Sequence, residues 1–218
     1  MSASPSADGV DPGLLAGWVA ARSIARGLPA PVAVHGGWRV DTHSDVEWCR
    51  YISARPDSAI AALARTIARP RVFIKVCADD AALLRLLPDG WTLQDRAWVM
   101  TSTADPPARS LPSGYTLALE EIDHVIAATI TAPDGTLGAS GYAVETAGVF
   151  AYDRIRTSAD HQRRGLGHVV MTSLRTQRRS GASREILVAT DQGRALYSSL
   201  GWTVQSPYAS ALSPVWGA

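Results

Sequence analysis

The chain has 218 residues, 46% of them hydrophobic and 19% charged, the make-up of a soluble globular protein with one large domain or two small ones. A net charge of +1 leaves no strong field to draw it to nucleic acid or an anionic membrane. No apolar run approaches the ~20 residues that span a bilayer, and the N-terminus lacks a signal peptide's basic and apolar regions, so a cytoplasmic protein is expected. Lys75 is the only lysine, arginine carrying the rest of the positive charge. Cys49 and Cys77 match no metal spacing and read as buried thiols, so no metal is expected.

Met1 to Gly13 is small and polar and reads as a frayed tail. Leu14–Gly27 has near-helical apolar spacing and ends at a glycine with a proline two residues on. Trp18 within it reads as core. Pro31–Thr42 suggests a hairpin around Gly36-Gly37, and Val46–Ile52 is open between strand and short helix. Asp57–Arg69 is a helix capped by Asp57 or Ser58, with Ile60, Leu63, Ala64 and Ile67 on one face. Arg71–Cys77 alternates as a strand, Asp80–Leu87 is a short helix, and Trp91–Thr101 a further strand. Three prolines mark Thr103–Ser113 as a linker. The expected division is an N-terminal unit over 14–104, a linker over 105–113 and a second unit over 114–218.

In the second unit Tyr115–Leu119 is a strand. His124–Thr131 and Thr136–Glu145 are two more, joined by the turn Pro133-Asp134-Gly135. Val149–Thr157 is a strand that runs into Gln162-Arg163-Arg164-Gly165-Leu166-Gly167, and His168–Arg179 is helical. A glycine loop that empties into a helix start offers free N–H groups and the positive end of the helix dipole, the making of a phosphate site. Arg163 and Arg164 add mobile positive charge there, against the plainer reading of a solvated helix start. Glu185–Ala189 is the next strand, followed by a short helix and Gly201-Trp202. Thr203–Ala209 and Leu212–Val215 close the chain as strands, which Pro207 and Pro214 place at edges or ends. FIKVCADDAALLRLLPDGW from Phe73 echoes ILVATDQGRALYSSLGW from Ile186, which suggests a doubled α/β unit whose first copy lacks the glycine loop.

Gln162–Gly167 matches the Gln/Arg-x-x-Gly-x-Gly/Ala signature of the GNAT superfamily of acyl-CoA-dependent N-acyltransferases. Leu196-Tyr197-Ser198-Ser199-Leu200-Gly201-Trp202 resembles the family's Leu-Tyr-x-x-x-Gly-Phe ending. The resemblance covers residues 113–212. It implies an α/β (α+β) fold with a mixed, mostly antiparallel sheet flanked by helices, here with a degenerate GNAT-like N-terminal half. It departs from the family in one place: only Glu120–Asp123 stands where two helices normally separate the first two strands. The wall of the acceptor site must then come from the N-terminal half or another subunit.

The resemblance further implies direct attack of an amine on acetyl-CoA, the amine belonging to a small molecule or a peptide. It places CoA phosphates on Gln162, Arg163, Arg164, Gly165, Leu166, Gly167 and the N–H of His168. Pantetheine would pair with the backbone of Ile155, Arg156 and Thr157 in the gap beside the fourth strand. Tyr197 matches the family's general acid, or else a tyrosine that only packs. Asp153, Glu145 and, less simply, His161 are candidates for the base, and an amine of low pKa needs none. The alternative to an enzyme is a catalytically silent CoA-binding sensor or scaffold. No nucleic-acid or membrane partner is expected, and the chain would act as monomer or homodimer. No basic pocket outside the CoA loop points to an acidic substrate.

Overall fold

The computed structural model describes residues 9–214, so most of the expected tail, together with Val215 and Trp216, lies outside the described residues. Helix α1 is Pro12–Ala25. Asp11 caps it, its carboxylate accepting the Leu14 N–H at 2.7 Å, and Pro12 occupies the first turn, where no N–H is needed. Strands β1 (Val32–Val34) and β2 (Gly37–Asp41) form the hairpin. Its turn residues are His35 and Gly36, at φ 50° and 72°, a pair of left-handed residues that matches the twist of the strands. The undecided segment contains a strand, β3 (Cys49–Ser53). Helix α2 (Ser58–Thr66), capped by Asp57, leads into β4 (Val72–Val76), which runs parallel to β3. Helix α3 (Asp80–Leu84) follows, and the strand expected over Trp91–Thr101 is split into β5 (Thr92–Leu93) and β6 (Ala97–Ser102).

The second half opens with an antiparallel meander of β7 (Thr116–Ile122), β8 (Val125–Thr131), β9 (Leu137–Thr146) and β10 (Val149–Thr157). Asp123 and His124 make a tight turn between β7 and β8 at φ 49° and 66°, so no helix separates these strands. Helix α4 (Leu166–Arg175), β11 (Arg184–Thr190), α5 (Asp191–Ser199) and β12 (Thr203–Leu212) complete the chain. None of the described helices is long and apolar enough to cross a membrane.

The sheet order is β1-β2-β3-β4-β12-β6-β11-β10-β9-β8-β7, with β5 also on β12. The two halves therefore exchange their last strands. β6, from the first half, pairs with β11, and β12, from the second, pairs with β4. Both end strands follow a helix and a buried tryptophan, Trp91 and Trp202, as the sequence echo anticipates. β12 is consequently central, not an edge as its prolines suggested. Pro207 is tolerated because its stretch pairs with β6 at Trp98, while pairing to β4 begins only at Ala209.

Alternation along the strands divides the core in two. Phe150, Tyr152, Leu187 and Met100 face α4 and its Val170, Met171 and Leu174. Val149, Ala151, Ile186 and Val99 face the other way, toward Leu15, Trp18 and Val19 of α1. Helix α1 thus covers one face of the second half's sheet. Gly17 lets it approach closely: a Cβ there would lie 2.7 Å from Val149 Cγ1. Cys49 and Cys77 are free and buried.

Candidate active site

β10 and β11 pair in parallel only over Val149–Ala151 and Arg184–Ile186. Beyond Ala151 they part. A register shift between Asp153 and Arg156, with Arg154 in the left-handed region at φ 52°, bends β10 away from its neighbour. Arg156 and Thr157 still pair with β9 on one side, and their other edge faces the gap.

Two cavities meet in that gap. The first, of about 500 Å³, is bounded by Ile155, Arg156, Thr157, Gln162, Arg163, Gly165, Leu166, Gly167 and the start of α5. Eight of the residues expected at a cofactor thus come together. Gly165, at φ 81°, is the N-cap of α4, and no side chain caps that helix. The Val169 N–H bonds to Gly165 O at 3.2 Å, while among the described residues the N–H groups of Leu166, Gly167 and His168 have no partner in the chain. Three free donors at a helix start, beside a residue without a side chain, make a cradle that could hold phosphate oxygens. Arg109 of the linker adds to it. Its guanidinium lies so close to Gly165 that a Cβ there would come within 2.1 Å of Nε.

Arg164 and the His168 ring do not join the cradle. Arg164 donates to Tyr115 Oη at 2.9 Å and to the Asp160 carbonyl at 3.2 Å, and His168 Nε2 lies 2.6 Å from the Pro107 carbonyl. His161 also turns away, its ring bonded to Tyr115 Oη at 2.8 Å.

The second cavity, about 430 Å³, lies between the halves, where Trp18 and Arg22 of α1 and Arg26 just past its end face Lys75, Asp153, Arg154, Tyr208 and Ser210. Trp18 and Arg22 are four apart and stack along one side of the helix, and Arg26 follows at its C-cap. Tyr197 borders both cavities and is 7% exposed. Burial raises its phenol pKa well above the ordinary value, and the negative charge of Asp153 adds to the shift, so the hydroxyl keeps its proton.

Neither carboxylate expected as a base is free. Asp153 reaches the cavity, but Arg26 holds it through Nε at 2.7 Å and Nη2 at 2.8 Å, with Arg154 at 3.4 Å and Arg22 at 3.9 Å. Glu145 borders neither cavity. It ties down the α4–β11 loop by accepting from the N–H groups of Arg179 (2.7 Å) and Ser180 (3.0 Å) and from the Ser183 hydroxyl (2.5 Å). Burial alone would raise its pKa, but these donors lower it overall. Asp95, absent from the expected set, lines the second cavity and has no ion pair among the described residues. The first half's contributions were hidden because nothing in their spacing relates them to the glycine loop. Only the stripe of Trp18, Arg22 and Arg26, and the solitary Lys75, stand out in the sequence.

No protein-family model matches the chain, and a search of curated proteins finds no match. Among solved structures it is similar to a GCN5-related N-acetyltransferase from Kribbella flavida, with a TM-score of 0.65 at 16% identity over 94% of this chain and 96% of that one. A GCN5-related N-acetyltransferase from Sphaerobacter thermophilus aligns at 0.56 and 14% identity, over 82% and 76% of the two chains. A tandem GNAT protein from the clavulanic acid biosynthesis pathway aligns at 0.50 and 12% identity, over 78% and 76%. At these identities the likeness is one of fold. With its splayed central strands, bulged β10 and loop-capped α4, the chain has the fold of the GNAT superfamily.

Proposed function

We propose that this protein is an N-acetyltransferase that uses acetyl-CoA and an amine of a small molecule or peptide, without a nucleic-acid or membrane partner. The observation that carries the reading is the position of Tyr197, at the junction of a phosphate-suited groove and a separate, polar cavity. Acetyl-CoA held in the groove would supply an activated thioester open to direct attack. The cradle at Gly165–His168, with Arg163 and Arg109, fits its phosphates, and the open edge of Ile155–Thr157 fits its amides. The chain's part is chiefly to align two reactants, a contribution of roughly 7–11 kcal/mol at best. Tyr197, which borders both cavities and whose hydroxyl keeps its proton through the physiological range, would deliver that proton as the thiolate departs. Asp95 is the carboxylate on the cavity wall left to accept the amine proton, directly or through water.

Two measurements test this. Acetyl-CoA should raise the melting temperature of the parent protein, and much less so that of Gly165→Trp or Arg109→Ala. An amine screen with a thiol-detecting reagent should show release of free CoA that depends on the amine. Binding without thiol release would favour a sensor or scaffold, and no shift at millimolar acetyl-CoA would reject both readings.

A further inference from the structure

The second cavity is charged in a way the sequence did not foretell. Arg22, Arg26, Lys75, Arg154 and Arg156 line it, against the carboxylates of Asp95 and Asp153 alone. Asp153 is already committed to Arg26, Arg22 and Arg154. Among the described residues Lys75 has no carboxylate at ion-pair distance, its Nζ lying 4.8 Å from the Phe73 ring centre. Glu47, which acts on it electrostatically, is held by Arg50. A half-buried cation without a partner is costly unless something neutralises it.

Register shows what surrounds that cation. Lys75 of β4 is paired with Ser210 of β12 in an antiparallel ladder, so their side chains stand side by side on one face. Tyr208, two residues from Ser210, points to the same face. Tyr208 is 4% exposed and Ser210 5%, and both hydroxyls lack any hydrogen-bond partner. Buried hydroxyls are ordinarily satisfied, and these two border the cavity beside an unpaired ammonium. Together they form a set of donors without an acceptor.

We propose that the acceptor is an anionic amine, whose carboxylate or phosphate is held by Lys75, Ser210 and Tyr208, with Arg22 nearby, while its amino group is turned toward Tyr197. The inference rests on the acetyl-transfer reading for the acceptor's role, but the anion site stands on its own geometry. The first half, which lacks the phosphate loop, then serves as the substrate-recognition wall. The strand exchange is what brings this about, since it seats Tyr208 and Ser210 of the second half beside Lys75 of the first.

The test is calorimetric titration of the full chain, with and without CoA, using product-like probes: N-acetylglycine, N-acetylphosphoethanolamine and the neutral N-acetylglycinamide. One or both anions should bind about tenfold or more tightly than the amide, and which does so distinguishes carboxylate from phosphate. Lys75→Met should abolish the preference, and Tyr208→Phe, which keeps the packing, should weaken it. Neither should change the affinity for acetyl-CoA, which separates this site from the phosphate cradle. Equal binding of all three probes, binding of none, or preference for a cationic compound such as N-acetylputrescine would overturn the proposal. Anion preference together with acetyl-CoA binding but no thiol release from any amine would overturn the acceptor role and leave an anion site.

Discussion

Arg26, at the end of α1, grips both oxygens of Asp153 in β10, at 2.7 and 2.8 Å, across 127 residues of sequence. The pair fixes the first half's helix over the gap where the two cavities meet, and it removes Asp153 from proton chemistry. Arg26→Ala should cost about 1.5–3 kcal/mol, the range for hydrogen bonds to charged groups. Asp153→Asn should cost at least as much, because it leaves Arg22, Arg26 and Arg154 without their shared carboxylate. Urea midpoints with unchanged slopes would measure both. No change in either variant would mean that apolar packing alone holds α1.

A second buried ionic centre should matter more. Glu185, 2% exposed, accepts from Arg175 at 2.8 Å, Arg178 at 3.0 Å and the Tyr152 hydroxyl at 2.5 Å, joining α4, its following loop, β10 and β11. Glu185→Ala removes the buried carboxylate shared by Arg175 and Arg178, leaving Arg175 only its exposed partner Asp105, and should destabilise by about 3–5 kcal/mol. Thermal melting would register it. Glu185→Gln, which keeps acceptor and donor capacity, should lose less.

Tyr197→Phe separates acid catalysis from packing. If the phenol protonates the leaving sulfur, kcat for thiol release should fall by about 10²-fold or more, while acetyl-CoA binding stays within about twofold. Because burial and Asp153 raise the phenol's pKa, loss of its proton should impose no alkaline fall in rate below its ordinary pKa of about 10. An unchanged kcat would assign Tyr197 to packing against Trp202, whose ring centre is 6.1 Å away.

Lys75 should leave a signature in stability against pH. Burial lowers its pKa to about 8, with Glu47 opposing and Arg22 and Arg26 reinforcing the shift. The folded state therefore binds this proton less well than the unfolded chain, where the pKa is about 10.4. Stability should rise as pH climbs from about 8 to about 10.4, by up to about 3 kcal/mol, and this increment should be missing in Lys75→Met. Urea titrations at pH 7.5 and 10 on both proteins would measure it. Parallel behaviour of parent and variant would place Lys75 in contact with water.

Much of this fold was legible before any coordinates. The glycine loop, the Leu196–Trp202 segment, the helix cap at Asp57 and the turn at Pro133–Gly135 are written in neighbouring residues, whereas the fourth helix starts at Leu166, two residues before the His168 that its apolar spacing suggested. Local backbone geometry responds to neighbours alone. The echo between Phe73–Trp91 and Ile186–Trp202 likewise revealed the doubling, because repeats preserve spacing. Tertiary structure alone decided which strand lies beside which. Pro207 pointed to an edge, yet the strand exchange places β12 at the centre, since a proline's missing N–H matters only on the side where a partner sits. Asp153 and Glu145 looked like free carboxylates because their partners, Arg26 and the Arg179–Ser183 loop, lie 127 and at least 34 residues away in chain order. The charged cavity was invisible for the same reason. Its residues come from α1, β4, β10 and β12, and electrostatics depends on distance in space, which composition and periodicity do not encode.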